Sequence, residues 1–100
     1  MKFVYEPDLL EYMEKKGRKH IVVEVVSCDH SDIEITELHV YLVNDRLAKF
    51  FKEEKKFRGI PTEVGEVLLP RYRLEYDETI TFGLKTFLCF HSVAYKGIRV

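Results

Sequence analysis

Apolar and polar residues alternate along this chain with two different periods, and the change of period marks its elements. Ile21, Val22, Val23, Val25 and Val26 form a β-branched run interrupted only by Glu24. That is the composition of a strand covered on most of both faces, so a central strand with a neighbour on each side is expected. A polar loop from Ser27 to Asp32 is expected to end it. In residues 33–43, Leu38, Val40 and Leu42 alternate with His39 and Tyr41, which predicts a second long strand with a wetter face. Residues 2–5 read as a short strand. Near the C-terminus Ile80, Phe82 and Leu84 alternate with Thr79, Thr81 and Gly83. Phe87, Leu88 and Phe90 then break the alternation into an apolar corner, and Val93, Tyr95, Ile98 and Val100 lead out of it. This strand, corner and closing strand are expected at the centre of the core. Residues 62–77 read as short strands, Val67 to Leu69 and Tyr72 to Tyr76, with Pro70 marking an edge or a bend.

Helical spacing occurs twice. Leu9, Tyr12 and Met13 share one face behind Pro7, which suits a first helical turn. Glu11 precedes Lys15 by one turn, Glu14 precedes Arg18, and Gly17 is placed to terminate, so a helix of about ten residues is predicted. Asn44 or Asp45 can cap a second helix over 45–57. Its docking face is predicted to be Leu47, Phe50 and Phe51, with Phe57 one turn further on and Lys49, Lys52, Lys55 and Lys56 in water. Gly59 followed by Pro61 is read as its stop. The sum is an α+β fold, mostly antiparallel β-sheet folded over itself, with one or two covering helices, in one domain spanning residues 1–100.

Charge narrows the picture further. Sixteen Lys and Arg against seventeen Asp and Glu leave a formal net charge of −1. The chain as a whole therefore lacks the basic footprint of a nucleic-acid binder; the local basic clusters Lys15, Lys16, Arg18 and Lys19, and the lysines of 49–56 beside Phe50, Phe51 and Tyr72, are interspersed with Glu and read as solvated helix faces, so a nucleic-acid partner is not expected. No apolar run reaches the roughly 20 residues that cross a bilayer, and the N-terminus lacks the pattern of a signal peptide. A cytoplasmic protein without a membrane partner is expected. Its two cysteines, Cys28 and Cys89, then stay as thiols.

Four stretches resemble the small HesB-like, IscA-type domains, and within them the short branch carrying a Cys-Cys or Cys-selenocysteine motif. They are MKFVYEPDLLEYMEKKG, HIVVEVVSC, the Tyr76-to-Phe82 strand YDETITF, and KTFLCFHSVAYKGIRV. The middle, Asn44 to Pro61, has no counterpart. The resemblance implies a HesB-like sheet and, as activity, the holding of iron or a nascent iron–sulfur cluster on thiolates. Cys28 stands where such domains place a cysteine after the long strand. Ser27 and Asp29 flank it, so the Cys-Cys pair is missing, and the chain ends in Gly97-Ile98-Arg99-Val100 where cluster carriers have Cys-Gly-Cys. Three-cysteine ligation within one chain is thereby ruled out.

Among the residues themselves the repeated ligand pattern is Cys28-Asp29-His30 and Cys89-Phe90-His91. Two thiolates and two imidazoles suit a tetrahedral site, so Cys28, His30, Cys89 and His91 are the candidate ligands for iron or zinc, with Asp29 or Asp32 as further donors. The competing reading is buried cysteine beside surface histidine, or redox use of the thiols. Nucleophilic catalysis would need an imidazole against a thiolate and an oxyanion pocket, which sequence proximity does not supply, so no enzyme activity is expected. The expected function is metal binding or an accessory role in iron–sulfur or thiol metabolism. The alternative is a non-catalytic interaction module for a protein partner or a second copy of the chain.

Overall fold

The valine-rich run folds as the middle of a long strand, and the rest of the molecule is laid against it. The computed structural model describes the backbone of residues 1–30 and 33–100, and the side chains of residues 1–27 and 35–100. In chain order the elements are β1 (Lys2–Tyr5), α1 (Pro7–Lys16), β2 (His20–His30), β3 (Ile33–Val43), α2 (Asp45–Glu53), β4 (Arg58–Pro61), β5 (Glu66–Leu69), β6 (Glu75–Phe87) and β7 (Phe90–Arg99). They form two hydrogen-bonded sheets, one ordered β3-β2-β5-β4 and the other β1-β6-β7. β2 has a neighbour on each side, antiparallel β3 and parallel β5, as its composition predicts. The pairings β4–β5 and β6–β7 are antiparallel, and β1 joins β6 in parallel. The α+β class holds, with two sheets in place of one.

Alternation along β2 sends its side chains to two different cores. Ile21 and Val23 pack with Leu9 and Met13 of α1, Val67 and Leu69 of β5, and Ile80 and Phe82 of β6. Val22 points the other way and packs with Val43, Leu68, and Ala48 and Phe51 of α2. Each of the large apolar side chains among these contributes up to about 1.5–3 kcal/mol of apolar transfer, and the Ala48 methyl less. Both faces of β2 being covered is why its sequence shows no polar alternation.

α1 runs from Pro7 and stops where predicted. Gly17 takes the left-handed conformation, φ 66°, and the amides of Gly17 and Arg18 donate to the carbonyls of Glu14 and Met13 at 3.2 and 3.1 Å. These two bonds satisfy carbonyls that the helix end would otherwise leave open. Gly97, φ 97°, marks an irregularity in the β6–β7 ladder, where the paired register jumps between Tyr76 and Thr81. A Cβ there would lie 2.7 Å from the Thr79 carbonyl oxygen, so only glycine fits.

Several expectations are corrected. The stretch expected as a loop after Val26 continues as strand to His30, with Ser27 opposite Thr36 and His30 opposite Ile33; Ser31 and Asp32 lie outside the described residues. In α2 the Asn44 side chain caps the helix by accepting from the Leu47 amide at 3.0 Å, but Leu47 and Phe50 are about half exposed, and docking falls to Ala48 and Phe51. Ala48 is small enough to let the helix axis approach the sheet, with Phe51 as the anchor. Phe57 lies beyond the helix and packs on Phe51 with ring centroids 5.1 Å apart. Gly59 and Pro61, read as a stop, belong to edge strand β4. Tyr72 precedes β6, which begins at Glu75.

Candidate functional site

The apolar corner of residues 87–90 is the largest departure from expectation, and it carries one of the proposed metal ligands, Cys89, with a second, His91, directly after it. β6 and β7 form a hairpin whose turn is Leu88-Cys89, with Phe87 opposite Phe90. Partners that face one another across a ladder share a face. Phe82 opposite Tyr95 and Leu84 opposite Val93 therefore point toward the core, whereas Phe87 and Phe90 stand on the other face, out of phase with Ile80 and Phe82. β1 pairs no further along β6 than Phe82, and the hairpin continues beyond it. Phe87, Leu88 and Phe90 are consequently 71%, 81% and 70% exposed. Leu88 also holds φ 57°, a left-handed conformation that costs a non-glycine residue about 1–2 kcal/mol.

Cys89 is an exposed free thiol in that turn. His91 is one pair into the ladder, on the face opposite Phe90: its Nδ1 lies 3.0 Å from the Thr86 hydroxyl, and its ring packs against Tyr12 of α1 at 5.1 Å. Cys28 and His30 occupy the far part of β2, but their side chains, and those of Asp29 and Asp32, lie outside the described residues. Among the described residues no group of three or more His, Cys, Asp and Glu side chains is arranged to hold a metal ion.

A polar contact, buried on its histidine side, reaches the second helix. His20, only 8% exposed, accepts the Glu66 amide at Nδ1 (3.0 Å), which places its proton on Nε2, 2.5 Å from Asp45 Oδ1. This hydrogen bond, with the Lys19 charge next in weight, holds the Asp45 carboxyl below its ordinary value. One imidazole thus ties the start of β5 to the first turn of α2.

Beyond α2, the β4–β5 hairpin builds a cleft that sequence reasoning missed. The β4–β5 hairpin puts Arg58 opposite Leu69, so the chain entering β4 and the chain leaving β5 run side by side. Two tripeptides of one pattern meet there, Lys56-Phe57-Arg58 and Arg71-Tyr72-Arg73. Arg71 Nε donates to the Lys56 carbonyl at 2.9 Å, and Lys56 itself takes φ 61°. The cleft has a volume of about 600 Å³, with Tyr76 and Leu74 in its wall. A second hollow, lined by Lys55 and the outer face of β2 from Glu24 to Ser27, adjoins it across Phe57, Pro70, Arg71 and Tyr72. Burial raises the Tyr76 hydroxyl's pKa, partly offset by the nearby charge of Arg58.

The electrostatics of this region are one-sided. Lys55, Lys56, Arg58, Arg71 and Arg73 line the two hollows, and Glu24 is the sole carboxylate residue lining either. Among the described residues none of the five cations is ion-paired, whereas Lys52 pairs with Glu66 at 2.7 Å and Arg99 with Asp77 at 2.9 Å. The legible signal was the repeated cation–aromatic–cation tripeptide. Comparison with family models, with curated proteins and with solved structures finds no match to this chain.

Proposed function

We propose that the protein is a non-catalytic binding module whose cleft between residues 55–58 and 70–76 takes a phosphate-bearing anion. One observation carries the reading: five cationic side chains converge on a concave surface without carboxylate partners among the described residues. Guanidinium groups match phosphate oxygens in geometry as well as charge. A solvated basic helix face would have no concavity; this one has walls of Phe57, Tyr72 and Tyr76. Inorganic polyphosphate titrated into the protein and into Arg71→Ala/Arg73→Ala, followed by calorimetry at low salt, tests it. Saturable binding to the wild type, weakened at least tenfold in the double variant, is expected. No binding to the wild type, or equal binding to both, refutes it.

A second reading, docking to another copy of the chain, is favoured by the exposed Phe87, Leu88 and Phe90 at the hairpin end, since large apolar side chains clustered in water mark contact surfaces. Sedimentation equilibrium of the wild type and of Phe87→Ser/Phe90→Ser decides it. A mass that rises with concentration in the wild type alone supports self-association; a monomer throughout removes it. The metal chemistry that the HesB-like resemblance implies would have to be assembled around Cys28, and has no support from the described residues.

A further inference from the structure

We infer that the anion taken by the cleft is single-stranded nucleic acid, with Tyr72 as the platform on which a base stacks. This rests on the phosphate-binding reading above and names the ligand for it. The first argument is the shape of the charge. The five cations are divided between two adjoining hollows that share Phe57, Pro70, Arg71 and Tyr72, with Lys55 lining one, Lys56, Arg58 and Arg73 the other, and Arg71 both. A single phosphate group calls for donors that converge on one point. Cations spread over two adjoining hollows instead suit a chain of phosphates.

The second argument is the aromatic inventory. Phe57 is already packed at a tilt against Phe51 and contributes to the core beneath α2. Tyr72 stands between Arg71 and Arg73, is 46% exposed, and makes no aromatic contact among the described residues. Polyphosphate gives such a ring nothing to do. A nucleobase gives it a flat partner, with the flanking guanidinium groups within reach of the phosphates on either side, which is how sequence-tolerant single-strand sites combine stacking with a cationic track.

The third argument concerns the form of the nucleic acid. Readout of a duplex places a helix or a two-stranded ribbon in a groove. The cleft instead is a recess, and its aromatic ring is open to unpaired bases. A free nucleotide shares the chemistry of one base and its phosphates but would use only part of the cationic surface, so the strand is expected to bind far more tightly.

The experiment is fluorescence anisotropy of end-labelled dodecathymidylate with the full chain in about 50 mM salt, where phosphate contacts are strong. Thymidine monophosphate, a duplex of equal length and inorganic polyphosphate serve as competitors. The wild type is expected to prefer the single strand over each of them. Tyr72→Ala is expected to weaken the strand about five- to tenfold while changing polyphosphate binding less than about twofold, and Tyr72→Phe to restore the strand, because a stacked base is lost and no charge is touched. Equal weakening of both ligands, no effect of Tyr72→Ala on the strand, or competition by the duplex as good as the strand's own, overturns the inference. Competition by the mononucleotide at similar concentration overturns it in favour of a free nucleotide. Polyphosphate binding without oligonucleotide binding also overturns it and leaves the underlying reading standing, whereas a wild type that binds neither refutes both.

Discussion

The dependence of binding on salt is the sharpest consequence of the cleft, because its size follows from counting side chains. Each phosphate neutralised by Lys or Arg releases condensed counterions, and for single strands the logarithm of affinity falls against the logarithm of salt concentration with a slope of about −0.7 per phosphate. Five cations line the two hollows, so full engagement sets a slope of about −3.5. Between about 50 and 200 mM salt, affinity should then drop by roughly two orders of magnitude. Removing Arg71 and Arg73 leaves three cations and a slope of about −2, with a drop of only about twentyfold over the same range. Anisotropy titrations of wild type and Arg71→Ala/Arg73→Ala at four salt concentrations read both slopes directly. As a control, Lys85→Ala removes a cation on the exposed part of β6 leading to the hairpin turn, roughly 30 Å of strand beyond Tyr76 in the cleft wall, and should leave the slope unchanged. A wild-type slope shallower than about −1, or the same slope in the double variant, would show that the five charges do not act on a bound polyanion, and the reasoning would fail.

The fold gives three further tests. Gly17→Ala and Gly97→Ala both place a Cβ on a positive-φ residue, but nothing lies within 4 Å of the first whereas the second meets the Thr79 carbonyl oxygen at 2.7 Å. Urea unfolding should show a loss of about 1 kcal/mol for Gly17→Ala and at least about 3 for Gly97→Ala, and a smaller loss at Gly97 would contradict the packing described. Phe51→Ala should destabilise by about 3–5 kcal/mol and Phe50→Ala by less than about 1, since the first is buried and the second about half exposed; comparable losses would mean that α2 docks on the predicted face after all. The Asp45 carboxyl is held below its ordinary value of 3.8 by the hydrogen bond from His20 and then by the Lys19 charge. A depressed folded value means that the stabilisation is complete above the ordinary value and disappears as pH falls through the lowered one, so Asp45→Asn should flatten the acid limb of the stability–pH curve below about pH 4 and leave its shape at neutral pH unaltered, as thermal melts would report.

What could be read in the sequence was whatever burial had written into composition. β2 is covered on both faces, and its valines say so; α1 carries its start at Pro7 and its stop at Gly17, and both are local chemistry. The face of α2 was not readable by the same means. Leu47, Phe50 and Phe51 form a heavier apolar stripe than Ala48 and Phe51, yet close approach to the sheet selects the small residue, and that preference exists only once the sheet is present. The hairpin end shows the opposite case, where the information was there. Phe87 is an odd number of residues from Ile80, Phe82 and Leu84, so strand alternation already assigned it to the outer face, and hydrophobicity alone had placed it in the core.

The cleft was hidden for a different reason, since net charge is a sum over the surface and says nothing about its partition. A chain at −1 can still hold a strong local field if its carboxylates are committed elsewhere. Here Glu66 is paired with Lys52, Asp77 and Glu75 with Arg99, and Asp45 with His20, while Lys55, Lys56, Arg58, Arg71 and Arg73 line a concavity that has only Glu24 to oppose them. The register of one short hairpin produces this arrangement: with Arg58 opposite Leu69, the tripeptides that flank β4 and β5 are brought abreast, and the hydrogen bond from Arg71 to the Lys56 carbonyl ties them together. A slip of one residue in that register would turn every side chain of β4 to the opposite face. The cleft is therefore as well specified as the buried Val67, Leu68 and Leu69 that hold β5 in place.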